Sequence, residues 1–311
     1  MDYSWDFSYS FAVFILFLTL FVLYFTRIIS RKCIPEYIMG TSQNTSTCAS
    51  PNCIRCAQKS LRDSKVFDHK VADFLAENKH YNSTCLDRIK KAVIGDSLND
   101  LRVSRQKPTT FFVPELCSMP WYRTNQMGCD NFLNSLVDVE SQKKMKKEFL
   151  QVFQHLDEGW FKNSTPEGGW FVFPLYNQGV MVAENCKKCP QTVKLIDTTK
   201  LFMRCAFGNA LFSVLQPGTH IAPHYGPTNC RIRCHVPLIV PQGCCGIDVD
   251  GVKRHWEEGK LMLFDDSFLH VACHNGCTSI GPRVVLMLDL WHPDLTDEEK
   301  KAVIHLFPAP S

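Results

Sequence analysis

The pattern of hydrophobic and polar positions begins with one long apolar run. Residues 11–29 carry no charge before Arg27 and have nearly the length that a helix needs to cross a bilayer. The alternative is a cleaved signal peptide. Acidic rather than basic residues precede the run, and no small-residue cleavage site follows it, which favours an anchor. The sequence therefore predicts an N-terminal transmembrane helix within residues 1–32.

Helical periodicity follows in three further segments, where apolar residues recur at helical spacing: 66–78, 86–94 and 131–156. A stretch rich in Ser, Thr, Asn and Cys precedes the first of them. Residues 33–107 are therefore expected to form a cysteine-containing stalk with short helices. Phe111 begins a short apolar run that Pro114 interrupts, and this run predicts a short strand.

The pattern changes near residue 160 to short apolar or alternating runs, separated by Gly, Pro and Asn. Many short strands at such spacing are typical of an all-β sandwich or barrel. No glycine-rich phosphate loop stands between a strand and a helix. We therefore expect residues 108–311 to form one mainly β domain with packed helices.

Composition and charge narrow the possible functions. Hydrophobic residues make up 45% of the 311 residues, enough for a sizeable core. The chain has 34 basic and 31 acidic residues and a net charge of +3. This balance lacks the strongly basic surface of a nucleic-acid-binding protein, so no nucleic-acid partner is expected.

Signals for membrane orientation disagree. Basic residues follow the apolar run, which by the positive-inside rule would place the bulk of the chain in the cytosol. Glycosylation sequons at Asn44, Asn82 and Asn163, together with 16 cysteines, instead fit an oxidising compartment. We expect the domain that follows the apolar run to lie in the lumen of the endoplasmic reticulum or secretory pathway.

The cysteines raise a separate question. Two Cys-x-x-Cys pairs stand far apart in the sequence: Cys53 with Cys56, and Cys186 with Cys189. Together they would make a four-sulfur zinc site, and in an oxidising compartment each would instead enter disulfides. The adjacent Cys244 and Cys245 are expected to pack in a turn.

Candidate chemistry lies at three strand edges in the β-rich half. His224 follows a proline in the segment Pro-His-Tyr-Gly, His270 ends the segment Phe-Asp-Asp-Ser-Phe-Leu-His, and Arg283 opens a very apolar strand. A single histidine in a β protein is more often a packing residue than a metal ligand. The combination of two histidines and an arginine is more specific than any one of them.

A neighbouring strand adds cationic side chains. The two-residue period of a strand puts Arg231, Arg233 and His235 on one side. A solvated edge would more often carry mixed charges. Three basic groups beside two candidate metal ligands favour an anion pocket.

Three blocks of this region carry a family resemblance: 217–235, 256–270 and 283–296. In these blocks the sequence resembles the aspartyl/asparaginyl β-hydroxylase domain, as found in aspartate β-hydroxylase domain-containing membrane proteins, from about residue 108 onward. The resemblance implies a double-stranded β-helix, the jelly roll of iron(II) and 2-oxoglutarate oxygenases, with supporting helices outside. It also implies hydroxylation of a C–H bond on a protein or peptide substrate, at a side chain of the Asp or Asn type.

Carried over residue by residue, the resemblance implies that His224 and His270 bind iron. Arg283 matches the residue that binds the distal carboxylate of 2-oxoglutarate. Further contacts to the cosubstrate fall on three residues: Ser213, Arg231 and His235. These types suit the task, because neutral imidazoles bind iron(II) and a guanidinium fork fits a carboxylate.

The sequence departs from most oxygenases of this fold at Gly226, where a metal-binding carboxylate is usual. The resembled family also has glycine there, and the turn carrying Asp265 and Asp266 suggests a structural role for both. The loop 271–282 is longer than in the founding β-hydroxylase, and the helical-repeat region of that enzyme has no counterpart. Its substrate, epidermal-growth-factor-like modules, is therefore not carried over. The rival hypothesis is a membrane-tethered pseudoenzyme, against which the retained histidines and Arg283 argue.

Overall fold

The structure is a computed structural model that describes residues 65–77, 86–94, 105–163 and 165–310. The predicted anchor, most of the predicted stalk, Cys53, Cys56, Asn44 and Asn82 lie outside these ranges. Within the described ranges, no helix is long and apolar enough to cross a membrane.

The described β-domain consists of two antiparallel sheets. In chain order the strands are β1 (Trp121–Tyr122), β2 (Phe161–Asn163), β3 (Trp170–Asn177), β4 (Val180–Met181), β5 (Ala210–Leu215), β6 (Thr219–His224), β7 (Arg231–Ile239), β8 (Cys245–Val249), β9 (Val252–His255), β10 (Met262–Phe264), β11 (His270–His274) and β12 (Arg283–Trp291). The larger sheet has the order β1-β10-β7-β12-β5-β3-β2, with β4 beside β3, and the smaller sheet has the order β6-β11-β8-β9. From β5 onward the chain passes back and forth between the sheets, which is the strand path of a jelly roll. The predicted mainly β class is confirmed.

The two central strands of the larger sheet, β7 and β12, are buried along almost their whole length. Their runs of apolar residues suit strands that are covered on both faces. One hydrophobic cluster lies between the sheets and includes Leu211, Ile247 and Met287. A second covers the outer face of the larger sheet and includes Phe149 and Phe212. The larger sheet therefore lies between the helices on one side and the smaller sheet on the other.

Helices cover the outer face and one end of the sheets. Their bounds are α1 (Lys65–Glu77), α2 (Asp87–Ile94), α3 (Asp130–Ser135), α4 (Val139–Phe153), α5 (Ala183–Lys188), α6 (Pro190–Leu195) and α7 (Asp297–Leu306). The helices predicted at 66–78 and 86–94 correspond to α1 and α2. The single helix predicted at 131–156 is wrong, because the chain divides there into α3 and α4. Asp138 caps α4 by accepting hydrogen bonds from the backbone N–H groups of Glu140 and Ser141 at 3.0 and 3.1 Å.

The strand predicted at Phe111 is also wrong. Phe111 forms only an isolated bridge to Thr228. Its side chain packs into a third hydrophobic cluster, with Phe207 and Phe307. The apolar residues that predicted a strand are therefore buried by side-chain packing and not within a sheet.

Candidate functional site

Two histidines meet at one edge of the smaller sheet. His224 ends β6 and His270 begins β11, and the two are directly paired in the antiparallel register. The centroids of their rings are 4.1 Å apart. The register therefore brings together two residues that are far apart in the sequence.

A hydrogen bond to a backbone carbonyl group orients each of the two rings. The Nδ1 atom of His224 is 2.9 Å from the carbonyl oxygen of Ala222, and the Nδ1 atom of His270 is 2.9 Å from that of Phe268. Because a carbonyl oxygen only accepts, Nδ1 carries a proton in both rings, and Nε2 is the nitrogen of each ring that is not bound to this carbonyl. Metal-binding histidines are commonly oriented in this way. Burial lowers the pKa of His270 to about 4, so its ring is neutral at pH 7.

Arg283 carries a buried positive charge. It begins β12 and is 2% exposed. Its Nη1 donates to the carbonyl oxygen of Ser213 at 3.3 Å, its Nε has no hydrogen-bond partner, and its Cζ lies 4.5 Å from the centroid of the Trp256 ring. No carboxylate of the described residues forms an ion pair with it. Burial lowers the pKa of Arg283 to about 10, which reflects the cost of keeping this charge away from water.

Two neutral groups beside Arg283 have protons to donate. Trp256 Nε1 donates to His235 Nδ1 at 3.1 Å, so the proton of the neutral His235 ring is on Nε2. Burial, followed by the charge of Arg283, lowers the pKa of His235 well below its usual range. Ser213 Oγ accepts from Trp170 Nε1 at 3.1 Å, which leaves its O–H free to donate. An uncompensated cation with these donors describes a site for an anion.

The structure distinguishes Arg231 from Arg233. Arg231 Nη2 is 2.6 Å from Asp266, its Nη1 is 3.2 Å from Asp289, and it also donates to the carbonyl oxygen of Phe207. The guanidinium is thus occupied by two carboxylates and a carbonyl. Both Nη atoms of Arg231 are already hydrogen-bonded, so these contacts give no support to the predicted contact between Arg231 and 2-oxoglutarate.

Arg233 also contacts Asp289 and Asp266, at 2.9 and 3.1 Å. On β7, Arg233 is two residues from His235, whereas Arg231 is four residues from it. Arg233 therefore lies nearer the anion site. Sequence reasoning placed both arginines on the same side of the strand but gave the role to Arg231.

The carboxylate of Asp266 occupies the space beside Gly226. A Cβ atom built on Gly226 would lie 2.5 Å from the carboxyl carbon of Asp266, so no side chain fits there unless Asp266 moves. Burial would raise the pKa of Asp266, but Arg231 and Arg233 outweigh it and hold the pKa well below its usual range. The Asp266 carboxylate therefore stays ionised within the ion-pair network, in agreement with the structural role expected for it.

Asp265 stabilises the same turn. Its carboxylate accepts from Gln106 Nε2 at 2.6 Å and from the backbone N–H of Ser267 at 2.8 Å. The structural role expected for Asp265 agrees with these contacts.

The described cysteines form no disulfide. Cys186 and Cys189 are both buried, and Cys186 Sγ donates to the carbonyl oxygen of Leu175 at 3.2 Å. The other pair of the predicted zinc site, Cys53 and Cys56, lies outside the described residues. The Asn163 sequon has a buried side chain, 2% exposed, so the glycosylation prediction rests on Asn44 and Asn82.

Cys244 and Cys245, which were expected only to pack in a turn, lie close to His274. Their sulfur atoms and a ring nitrogen of His274 all lie within 4.8 Å of one another. Sequence reasoning missed this group because His274 reaches Cys245 only through the pairing of β8 with β11. The adjacent cysteines were the only sequence signal for it.

The described domain is thus a jelly roll in which His224 and His270 meet at one strand edge and in which Arg283 is a buried cation. The profile of the Aspartyl/Asparaginyl beta-hydroxylase family matches residues 139–293. The "Aspartate beta-hydroxylase domain-containing protein 2" of Xenopus tropicalis is 41% identical over 277 residues, which cover 86% of this chain and 72% of that protein. The human protein of the same name is 42% identical over 269 residues, covering 84% and 70%. The chain belongs to the aspartyl/asparaginyl β-hydroxylase family, among the aspartate β-hydroxylase domain-containing proteins.

More distant similarities cover less. The "Aspartyl/asparaginyl beta-hydroxylase" of Mus musculus is 33% identical over 192 residues, which cover 60% of this chain and 25% of that protein. A solved prolyl-4-hydroxylase from Pseudomonas putida shares 15% identity and covers 49% of this chain and 87% of its own, with a TM-score of 0.32. At that TM-score the overlap carries no argument about function.

Proposed function

We propose that this protein is an iron(II)- and 2-oxoglutarate-dependent dioxygenase that hydroxylates a protein side chain. The observation that carries the proposal is the buried guanidinium of Arg283, which forms no ion pair with a carboxylate of the described residues, in a domain where His224 and His270 face each other at one strand edge. Leaving such a charge buried and unpaired is costly. A carboxylate ligand would remove that cost and account for the arrangement.

The residues present fit a metal ion at His224 and His270. Both rings are fixed through Nδ1, and their centroids are 4.1 Å apart. Neutral imidazole nitrogens suit iron(II). With dioxygen as the oxidant and 2-oxoglutarate as the cosubstrate that becomes succinate and carbon dioxide, a bound iron(II) would supply the chemistry that inserts one oxygen atom into a C–H bond. The protein contributes the two ligands and a fixed orientation for them.

The anion site fits 2-oxoglutarate through several donors. The Arg283 guanidinium can pair with the distal carboxylate, and its fork matches a carboxylate better than a point charge does. Ser213 Oγ and His235 Nε2 add neutral donors, and Arg233 adds positive potential. The Trp256 ring covers Arg283 on one side and fixes His235 on the other. Together these groups offset the cost of removing a dianion from water.

Membership of the family supports the proposed substrate class, an Asp or Asn side chain of a protein or peptide. We further propose that residues 11–29 anchor the protein in the membrane and that the domain lies in the lumen. The apolar run and the Asn44 and Asn82 sequons support this location. Removal of N-glycans from protein expressed in intact cells should then increase its gel mobility. Unchanged mobility, with protease access to the domain from the cytosolic side, would contradict the lumenal orientation.

Formation of succinate from 2-oxoglutarate with added iron(II) tests the activity. His224→Ala and His270→Ala should each abolish succinate formation, because two imidazoles are the protein ligands that the site offers. The matched control is His220→Ala, which removes a partly exposed histidine from the same strand as His224 and should leave turnover intact. Normal turnover in either ligand variant would refute the assignment. Binding of 2-oxoglutarate by the wild-type protein without any succinate would instead favour the non-catalytic binding module.

A further inference from the structure

We propose that Cys244, Cys245 and His274 form a second metal site, suited to zinc and separate from the site of His224 and His270. The three residues meet where β8 begins and β11 ends, and Cys245 is paired directly with His274 in the register. His270 occupies the opposite end of β11. Four residues of extended strand separate the two sites by roughly 13 Å.

The two sulfur atoms already have the spacing of ligands in a tetrahedral zinc site, and a nitrogen of His274 lies nearby. The two sulfurs are 3.8 Å apart, and the ring nitrogen of His274 lies within 4.8 Å of both. Zinc–sulfur bonds of about 2.3 Å at a tetrahedral angle put two sulfurs about 3.8 Å apart. A disulfide would instead need about 2.05 Å. The pair is therefore spaced to share an ion.

The Nδ1 atom of His274 is the ring nitrogen that borders this space. Nε2 is 2.8 Å from the carbonyl oxygen of Gly281 and therefore carries the proton, while Nδ1 accepts from the backbone N–H of Gly276 at 3.2 Å, a hydrogen bond that a metal ion would replace. A Cβ atom on Gly276 would lie 3.2 Å from both His274 Nδ1 and Cys244 Sγ. The nitrogen and the sulfur thus border one space, which a side chain at position 276 would enter.

Charge and burial are consistent with a divalent ion. All three residues are buried, and burial lowers the pKa of His274, which keeps its imidazole neutral. Two thiolates would neutralise a doubly charged ion, so the occupied site would add no net charge to the interior. Burial raises the pKa of the Cys245 thiol, so metal binding must release its proton. Zinc affinity should therefore increase with pH.

The site would also join the two ends of the loop that leads into Arg283. The backbone N–H of Asn275 donates to the carbonyl oxygen of Cys244 at 2.8 Å, and His274 contacts Gly281 near the other end. Three protein ligands leave the fourth tetrahedral position to water. Bound zinc would thus hold the loop 275–282 between the smaller sheet and β12.

Cobalt(II) binding to the reduced full-length protein tests the site, because thiolate ligands give cobalt a charge-transfer absorption that histidine ligands do not. The wild-type protein should show this absorption, and zinc should displace it. Cys244→Ser, Cys245→Ser and His274→Ala should each remove or strongly weaken one thiolate-bound cobalt per chain. The matched control Cys234→Ala removes a buried thiol from β7 and should keep the absorption.

Two further variants separate this site from the others. His270→Ala should retain the thiolate absorption, so loss of dioxygenase activity and loss of this site are distinguishable. Cys186→Ser should retain the bound cobalt at Cys244 and Cys245. Wild-type protein that takes up cobalt without thiolate absorption would overturn the proposal, whatever the folding of the variants. An absorption that survives in both Cys244→Ser and Cys245→Ser would overturn it as well.

Discussion

Among single residues, Arg283 gives the strongest indication of a bound anion. Its guanidinium is buried, donates to one carbonyl oxygen and forms no ion pair with a carboxylate of the described residues. Arg283→Lys keeps the charge but loses the planar fork. We expect the 2-oxoglutarate concentration for half-maximal succinate formation to rise about tenfold or more, equivalent to roughly 1.4 kcal/mol.

Arg254→Lys is the matched control for that measurement. Arg254 also lies over a tryptophan ring, with its Cζ 4.3 Å from the centroid of Trp121, but it is exposed on β9. Its substitution should leave the 2-oxoglutarate requirement unchanged. An equal response of the two variants, or no response in Arg283→Lys, would remove Arg283 from the anion site.

Asp265 gives a pH-dependent prediction. Burial raises its pKa to about 7 in the folded protein, so between roughly pH 4 and pH 7 the folded state holds a proton that the unfolded state has released. Stability from this group is complete below the unfolded pKa and is lost as pH rises through the folded pKa. Asp265→Asn removes this ionisable group. The difference between the free energies of unfolding at pH 5 and pH 8, measured with urea, should therefore be smaller in the variant than in the wild type. The same pH dependence in the variant and the wild type would contradict the raised pKa.

Residue-scale prediction from the sequence reached the motifs but not their ion pairs. His224, His270 and Arg283 stand in segments specific enough to assign roles. A two-residue period, however, puts Arg231 and Arg233 on the same side. The carboxylates of Asp266 and Asp289, which pair with both arginines, come from other elements, and no local sequence signal predicts these ion pairs.

At the scale of elements, β7 and β12 are joined by charges as well as by backbone hydrogen bonds. Asp289 on β12 contacts Arg233 at 2.9 Å and Arg231 at 3.2 Å, and it accepts from Asn209 Nδ2 at 3.0 Å. Asp289→Asn would leave two buried guanidinium groups short of a counter-charge. We expect it to lower the free energy of unfolding by about 3–5 kcal/mol.

Urea unfolding measures this loss, and Asp297→Asn is the control. Asp297 forms an exposed ion pair with Lys300 on α7. Exposed pairs contribute about 1 kcal/mol or less. Similar losses in the two variants would show that the buried network does not hold the strands together.

Helix and strand prediction succeeded where periodicity is sustained and failed where local capping or tertiary packing decides. The helices at 66–78 and 86–94 were located closely. The predicted helix 131–156 contains Asp138, whose side chain caps a new helix. Hydrophobicity alone could not show that break, because the apolar stripe continues across it.

At the scale of the whole molecule, the jelly-roll path brings the site together. Alternation between the sheets sets His224 beside His270, and Arg283 begins the strand that lies next to β5 and β7. Sequence patterns predicted many short strands, but the resemblance to the family was needed to predict this order. Long-range pairing between strands leaves no local sequence signal.

The same architecture leaves a metal at His224 and His270 without a carboxylate from position 226. Asp266 fills the space beside Gly226, and its charge is already paired with Arg231 and Arg233. In the proposed dioxygenase, charge balance for iron(II) would therefore come largely from 2-oxoglutarate bound at Arg283. We expect the metal and the cosubstrate to bind with positive coupling of about 1–3 kcal/mol.

Anaerobic titration of the wild-type protein with iron(II), with and without 2-oxoglutarate, measures that coupling most directly. Iron should bind several-fold to about a hundredfold more tightly when 2-oxoglutarate is present, and iron should tighten 2-oxoglutarate by the same factor. Arg283→Leu should largely remove the effect while leaving iron binding alone unchanged. Equal iron affinity in the two wild-type titrations would contradict a shared site for metal and cosubstrate.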